Sequence, residues 1–206
     1  MRDRPSSVVT TIGLAQRCSR TCSRRPGPFP FTDDTSKDAA IFAPLAPGAG
    51  GYAVRVIGSP GAVGRVIAEL YDSTAITAFS PSTPRLINVS LRKKIDQGAT
   101  LNAGFVIAGS KAKTVLVRAI GPGLGAFGLP GVMPNPRLAL FNSSSVSIAT
   151  KDGWGGDPQL TAAGARFGAF KIDDFKSADS MLLHALSPGN YSAEVRGVGP
   201  PAVLRS

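Results

Sequence analysis

The chain has 206 residues, of which 43% are hydrophobic, with 24 glycines and 17 prolines. Ordinary apolar content with abundant turn formers favours many short strands joined by tight turns and argues against a helical bundle. The formal net charge is +10, but a nucleic-acid groove would need basic residues interleaved with aromatic ones. The clearest basic cluster, Arg92, Lys93 and Lys94, has no aromatic neighbour. We therefore expect no nucleic-acid partner. No apolar run approaches the ~20 residues that a membrane-spanning helix needs, so we expect no membrane span.

Residues 1–30 form an unassigned basic leader, which we predict to be disordered. They hold six arginines against one aspartate and follow neither the helical nor the strand period. The segment is a poor signal peptide, because Thr10, Thr11 and Gly13 interrupt its apolar residues. Cys18 and Cys22 are the only cysteines. A zinc site needs about four ligands, so we expect none here.

Residues 31–72 form a partial repeat, because their motifs recur near the C-terminal end of the chain. Three short motifs occur twice, about 140 residues apart. They are S-x-D at 36–38 and 177–179, L-x-P-G at 45–48 and 186–189, and a strand-like run beginning with tyrosine at 52–58 and 191–197. Proline and glycine in each L-x-P-G predict a turn, and the alternation after it predicts a strand. In the first copy a further strand is predicted at 64–72.

A linker rich in serine and proline is predicted at 73–85, and the main unit follows at 86–206. Its first predicted strand, 86–92, alternates apolar with polar residues. The residues expected to face inward there are Ile87, Val89 and Leu91. Segments 104–109 and 114–120 are apolar on both faces, which predicts central strands. Compared with the partial repeat, the main unit lacks its last strand.

Residues 135–149 predict a β-hairpin with one face against a core. Leu138 and Leu140 fall on one face of its first strand, and Val146 and Ile148 fall on one face of its second. The Asn-Ser-Ser-Ser connection between them suits a tight turn, because short polar side chains hydrogen-bond their own backbone there.

A glycine-rich acidic loop at 150–157 follows the hairpin and holds the only tryptophan, Trp154. Trp154 and Asp152 are candidate ligand-binding residues, since an indole can stack on a sugar ring. The alternative is a ring packed over the end of the sandwich, because large aromatic side chains usually bury most of their area. Asp152 and Asp157 are candidate calcium ligands, although calcium takes about six to eight oxygens and two carboxylates supply few of them.

Asp157 and Pro158 predict the start of one short helix, with Asp157 capping the free amides and Pro158 at the first helical position. This role for Asp157 is the alternative to calcium binding. The residues that share the apolar face of the predicted helix are Leu160, Ala163 and Phe167. We expect the helix to end at Gly168 and to lie as a lid over one end of the sandwich.

Two patterns that sometimes mark enzymes are weak here. Residues 121–125, GPGLG, match part of the dinucleotide-binding G-x-G-x-x-G pattern, but Pro122 removes an amide and no periodic helix follows. We interpret them as a wide turn. No G-x-S-x-G occurs, and His184 lies among apolar residues, where a packed or edge-strand histidine is more common than a general base. We therefore expect no enzymatic activity.

Several runs resemble a repeat module of large exported proteins of Verrucomicrobia and related bacteria, over about residues 84–200. They are LINVSLR, GFVIAGSKAKTVLVRAIGPGL, NPRLALFNSS, ATKDGWGG and LSPGNYSAEVRGVG. The second half also looks like bacterial pre-peptidase C-terminal domains, which are β-sandwiches appended to secreted enzymes. The related modules commonly have Asn-Asp-Asp-Trp where this chain has TKDGW at 150–154, which replaces one acidic position.

Alternation and resemblance together predict an all-β protein, an antiparallel β-sandwich of jelly-roll or immunoglobulin-like type with one short helix and a partial second repeat. The resemblance implies a non-catalytic module outside the cell or at its surface, with an adhesive or spacing role and another protein or a glycan as partner. The alternative function is a carbohydrate-binding module that uses Trp154. No cofactor is expected unless the acidic loop binds calcium.

Overall fold

The computed structural model describes residues 45–47, 52–57, 61, 66–72, 74 and 76–199. The chain divides into two units, Met1–Leu86 and Ile87–Ser206, and each is described by itself. The predicted leader, its two cysteines and the first S-x-D motif lie outside the described residues.

The described part of the second unit consists mainly of antiparallel strands, with one short α-helix and a 3-10 helix. The strands are β1 (Thr100–Ile107), β2 (Lys113–Ala119), β3 (Pro136–Asn142), β4 (Ser147–Asp152), β5 (Ser180–Leu186) and β6 (Gly189–Gly197). The α-helix α1 (Pro158–Arg166) follows β4, and the 3-10 helix (Pro122–Phe127) follows β2. The predicted all-β antiparallel class is confirmed.

The strands form two sheets of unequal size. The larger sheet has the order β1-β6-β3-β4, and the smaller sheet pairs β2 with β5. The last strand, β6, lies between β1 and β3, which come much earlier in the chain. The larger sheet is therefore completed only when β6, from the end of the unit, pairs with strands from its beginning. Because the smaller sheet has two strands and the larger has four, the sandwich is open.

The main hydrophobic core lies between these two sheets. Leu138 and Leu140 of β3 are fully buried and contact Ala193 of β6. Ala119 of β2 and Leu186 of β5 close the core from the smaller sheet. Burial of each leucine contributes about 1.5–3 kcal/mol. The inward face predicted for the first strand of the hairpin is confirmed.

The connection between β3 and β4 is a tight polar turn, as predicted. The Asn142 side-chain oxygen accepts hydrogen bonds from the backbone N–H groups of Ser144 and Val146, both at 3.0 Å. Val146 belongs to this turn and its side chain is exposed, so the prediction that it faces the core is wrong.

A β-bulge interrupts the pairing of β3 with β4. Leu140 pairs with Ala149, but Phe141 pairs with Ser147, which leaves Ile148 as the extra residue. Both Ile148 and Ala149 pack against the core as a result. Strict alternation over this strand fails because a bulge turns two successive side chains toward one face.

Strand β2 is apolar on both faces because a layer covers each of them. Val115 and Val117 pack against the core between the sheets. Leu116 packs on the other side, in a second cluster that contains Trp154. The prediction of central strands is wrong, since β2 belongs to a two-stranded sheet and β1 is an edge strand. On β1, the side chain of Val106 is exposed.

Helix α1 starts at the predicted residue, with Pro158 in its first turn. Its buried residues are Leu160 and Ala163, and Leu160 packs with Met181 of β5 in the second cluster. The helix therefore covers the outer face of the smaller sheet and not one end of the sandwich. Phe167 is exposed, because the helix ends before it. In the part of the chain that the structure describes, no helix combines the length and apolar character needed to cross a membrane.

Residues 86–92 do not form the predicted strand. They have no regular secondary structure, and Ile87 is 91% exposed. Val89 and Leu91 are exposed as well. Alternation makes a segment suitable for a sheet, but it supplies no neighbouring strand to accept its hydrogen bonds. The same reason applies in the first unit, where the described residues of the runs 52–58 and 64–72 are exposed and form no strand.

A tyrosine hydrogen bond occurs in both copies of the L-x-P-G motif. The Tyr52 hydroxyl donates to the carbonyl oxygen of Ala46 at 3.0 Å and accepts from the Ala46 N–H at 2.9 Å. The Tyr191 hydroxyl donates to the carbonyl oxygen of Ser187 at 2.9 Å. Ala46 and Ser187 both occupy the second position of the motif. Each tyrosine thus bonds back to the turn before its own run.

Candidate functional site

The loop between β4 and α1 changes direction at its glycines. Gly153, Gly155 and Gly156 have φ angles of +72°, +71° and +67°, in the left-handed region where other residues are strained. These turns place Trp154 inside the protein, and only 2% of its surface is exposed. The indole Nε1 is buried without a hydrogen-bond partner among the described residues. The loop predicted as a ligand site thus uses its glycines to bury its aromatic residue.

Trp154 is the largest member of the second hydrophobic cluster. It packs with Leu160 of α1, Ile172 and Met181 of β5. The Phe175 ring covers it from the loop side, with the ring centroids 6.0 Å apart. Neither face of the indole is open to a sugar ring in this arrangement. The ring packs over the outer face of the smaller sheet.

Asp157 is the N-cap of α1. Its carboxylate oxygen Oδ1 accepts a hydrogen bond from the Gln159 N–H at 2.7 Å. The other predicted calcium ligand, Asp152, ends β4 and is exposed. Among the described residues, no three His, Cys, Asp or Glu side chains form a group able to hold a metal ion. The capping role predicted for Asp157 is confirmed.

We expect Asp157→Ala to lower the free energy of unfolding by about 1 kcal/mol, because it removes the acceptor for a free helix amide. Asp152→Ala is the matched control, and its effect should stay within about 0.5 kcal/mol. Urea unfolding with and without millimolar calcium chloride measures both. If calcium stabilises the unmodified chain and either variant abolishes that gain, the loop is an ion site.

The GPG loop, residues 121–123, is held by the buried carboxylate of Asp179. The sequence analysis did not identify this residue. Asp179 is 0% exposed. Its Oδ1 accepts from the Gly121 N–H at 2.6 Å, and its Oδ2 accepts from the Gly123 N–H at 2.9 Å and from the Ser177 hydroxyl at 2.6 Å. Hydrogen bonds to an ionised acceptor are the strong ones. In a dinucleotide-binding loop such amides would face a phosphate, whereas here they bind the protein's own aspartate.

The two glycines of this loop are required by close contacts. A Cβ at Gly121 would lie 2.1 Å from the carbonyl oxygen of Met133, and one at Gly123 would lie 2.8 Å from the Asp179 carboxylate. Both distances are too short for non-bonded atoms. The segment that we interpreted as a wide turn is the 3-10 helix, which starts between these glycines.

Ser180 connects two further loops next to this carboxylate. The side chain is fully buried. Its hydroxyl donates to the carbonyl oxygen of Pro136 at 2.7 Å and accepts from the Gly153 N–H at 2.9 Å. One residue thus links the start of β3 to the tryptophan loop after β4.

Arg118 fixes the segment that follows α1. Its Nη2 donates to the carbonyl oxygen of Phe170 at 2.9 Å, and its guanidinium carbon lies 4.3 Å from the centroid of the Phe170 ring. Burial lowers the pKa of Arg118, and the negative charge of Asp179 opposes that shift. The group is partly buried and contacts both the carbonyl oxygen and the ring of Phe170, which suits a structural cation.

His184 occupies a strand position, as its apolar neighbours predict. It lies on β5 opposite Val115 of β2 and is partly exposed. Because the smaller sheet has only two strands, β5 is one of its edges.

A row of polar residues crosses all four strands of the larger sheet. Thr100 pairs with Arg196, Arg196 with Arg137, and Arg137 with Asp152. Arg137 alternates with core residues such as Leu138, so the row lies on the outer face. A pocket of about 380 Å³ opens beside the two arginines. Sequence reasoning did not identify this site, because the register between distant strands brings the arginines together.

Comparisons of the chain with protein-family models, with curated proteins and with solved structures each found no match.

Proposed function

We propose that this chain is a non-catalytic structural or interaction module, a β-sandwich belonging to an exported bacterial surface protein with an adhesive or spacing role. The main support is how its buried polar side chains are used. Asp179, Ser177 and Ser180 all bond to backbone groups or to one another. Polar groups engaged in this way fix loops in place, and they are not free to act on a substrate.

The repeated motifs also support a spacing role. The hydroxyls of Tyr52 and Tyr191 make the same bond to the second residue of their L-x-P-G motifs. The turn and its tyrosine bond therefore recur in both copies, although the run after the turn forms a strand only in the second copy. Repeat proteins gain length by adding such units, each stabilised by itself and by its neighbours.

Labelling of intact source cells tests the proposal. A membrane-impermeant biotin reagent should modify the exposed lysines Lys93 and Lys94 without cell lysis. A cytoplasmic protein followed in the same experiment should be labelled only after lysis. Recovery of this chain solely in the lysed sample would contradict a surface role, and turnover of a substrate by the purified chain would contradict a non-catalytic one.

The alternative carbohydrate-binding site on Trp154 has no comparable support. Stacking on a sugar needs an open ring face, and Trp154 is 2% exposed. A glycan site, if the chain has one, has to use other residues.

A further inference from the structure

Two arginines face each other on the outer side of the larger sheet. Arg137 of β3 and Arg196 of β6 are directly opposite in an antiparallel pair. Like charges in this position repel and destabilise a sheet. Among the described residues, the structure records one ion pair, Lys171 with Asp173, and it involves neither arginine. Among the described residues neither guanidinium forms an ion pair, although Asp152 of β4 lies opposite Arg137.

The pocket beside them has the size of a small-ligand site and is open to solvent. Its volume of about 380 Å³ falls within the ~300–1,000 Å³ common for small-ligand sites. Thr100 and three glycines also line it, and the glycines leave the guanidiniums accessible. These glycines are Gly98, Gly197 and Gly199. On one side of the rim, the Ala99 N–H donates a hydrogen bond to the Asp96 carbonyl oxygen at 3.0 Å. On the other side, the Val198 N–H donates to the Asn135 carbonyl oxygen at 2.9 Å.

We propose that this pocket binds the carboxylate or sulfate group of an acidic sugar through Arg137 and Arg196. Guanidinium groups bind such oxyanions with paired, charge-assisted hydrogen bonds. A bound anion would also relieve the repulsion between the two arginines. Thr100 and Asp152, at the two ends of the row, supply oxygen acceptors for the sugar's hydroxyl groups.

The surroundings favour a sugar over a nucleic acid. Among the described residues that line the pocket, none has an aromatic side chain on which a base could stack. Asp152 lies in the same row, and Glu194 lies two residues before Arg196 on the same face of β6. These carboxylates repel a densely charged phosphate backbone but accept hydrogen bonds from hydroxyl groups. The combination fits a ligand with few charges and many hydroxyls.

Binding of four polymers to the full chain tests the proposal by calorimetry at low ionic strength. The polymers are partly methyl-esterified oligogalacturonate, sparsely sulfated dextran, unsulfated dextran and single-stranded DNA. We expect one or both acidic sugars to bind and unsulfated dextran to be inert, and the two acidic arms tell carboxylate from sulfate. Arg137→Gln and Arg196→Gln should each weaken that binding at least tenfold. Raising the salt concentration should weaken it as well.

Arg166→Gln is the matched control, because it removes the same charge from helix α1, on the far side of the smaller sheet. It should leave binding unchanged. Arg196→Gln should melt no lower than the unmodified chain, since it removes a like-charge contact. Arg137→Gln should melt close to it, because this change removes both the like-charge contact with Arg196 and the opposite-charge contact with Asp152. The acidic sugar should raise the melting temperature of the unmodified chain only. Absence of binding to both acidic sugars, equal binding by the pocket variants, or tighter binding of DNA would each overturn the proposal. The surface role proposed above is independent of this result, because a spacer needs no ligand.

Discussion

Asp179→Asn should lower the free energy of unfolding by about 2–4 kcal/mol, because buried hydrogen-bond donors lose their acceptor. The carboxylate accepts from the N–H groups of Gly121 and Gly123 with different oxygens. An amide keeps one oxygen, but its NH2 group then faces the other N–H. Burial lowers the pKa of Arg118, and the change also removes the negative charge that opposes this shift. Urea unfolding followed by circular dichroism measures the loss.

Asp173→Asn is the matched control for this experiment. Asp173 pairs with Lys171, but both side chains are largely exposed. Exposed ion pairs contribute about 0–1 kcal/mol, so the control should unfold almost as the unmodified chain does. Equal stability of the two variants would show that the Asp179 carboxylate does not hold the GPG loop.

Trp154→Ala should lower the free energy of unfolding by about 3–5 kcal/mol, the range for removing a buried aromatic side chain. The indole fills the space between Leu160 of α1 and Met181 of β5. Its loss leaves a cavity between the helix and the smaller sheet. Because Nε1 has no hydrogen-bond partner among the described residues, the expected loss comes from packing alone.

Phe175→Ala provides the comparison, since this ring contacts Trp154 but is exposed. Its removal should cost about 1 kcal/mol. A Trp154→Ala chain as stable as the unmodified one would contradict burial of the indole and reopen it as a sugar contact. Trp154→Ala therefore tests folding, whereas Arg137→Gln and Arg196→Gln test glycan binding.

Local sequence was sufficient where hydrogen-bond partners are close along the chain. The turn of the β3–β4 hairpin follows from Asn142, whose side chain bonds to amides two and four residues later. The start of α1 follows from Asp157, which caps an amide two residues later. Both predictions needed only the chemistry of neighbouring residues.

Local sequence failed where a distant partner decides the outcome. Residues 86–92 alternate as regularly as β3 does, yet no described strand pairs with them. Ile148 and Ala149 share the core because of a bulge that alternation does not show. In each case the missing information is the neighbouring strand and its register.

The candidate sites show the same division. The recurrence of S-x-D showed only that Asp179 belongs to a repeated motif, together with its local partner Ser177. Its main partners, Gly121 and Gly123, lie more than fifty residues away. The acidic loop was recognised from its glycines and Trp154, but only packing against α1 and β5 shows that the ring faces inward.

The class of fold, the hairpin and the start of the helix follow from the residues alone, because alternation, turn residues and caps act over a few residues. The burial of Trp154, the bonds between Asp179 and a distant loop and the pairing of Arg137 with Arg196 are visible only in the folded protein. The meeting of the two arginines depends on the placement of β6 between β1 and β3, and the burial of Trp154 depends on packing against α1 and β5. Pairing between strands so far apart is set by the packing of the whole core, and no local pattern encodes it.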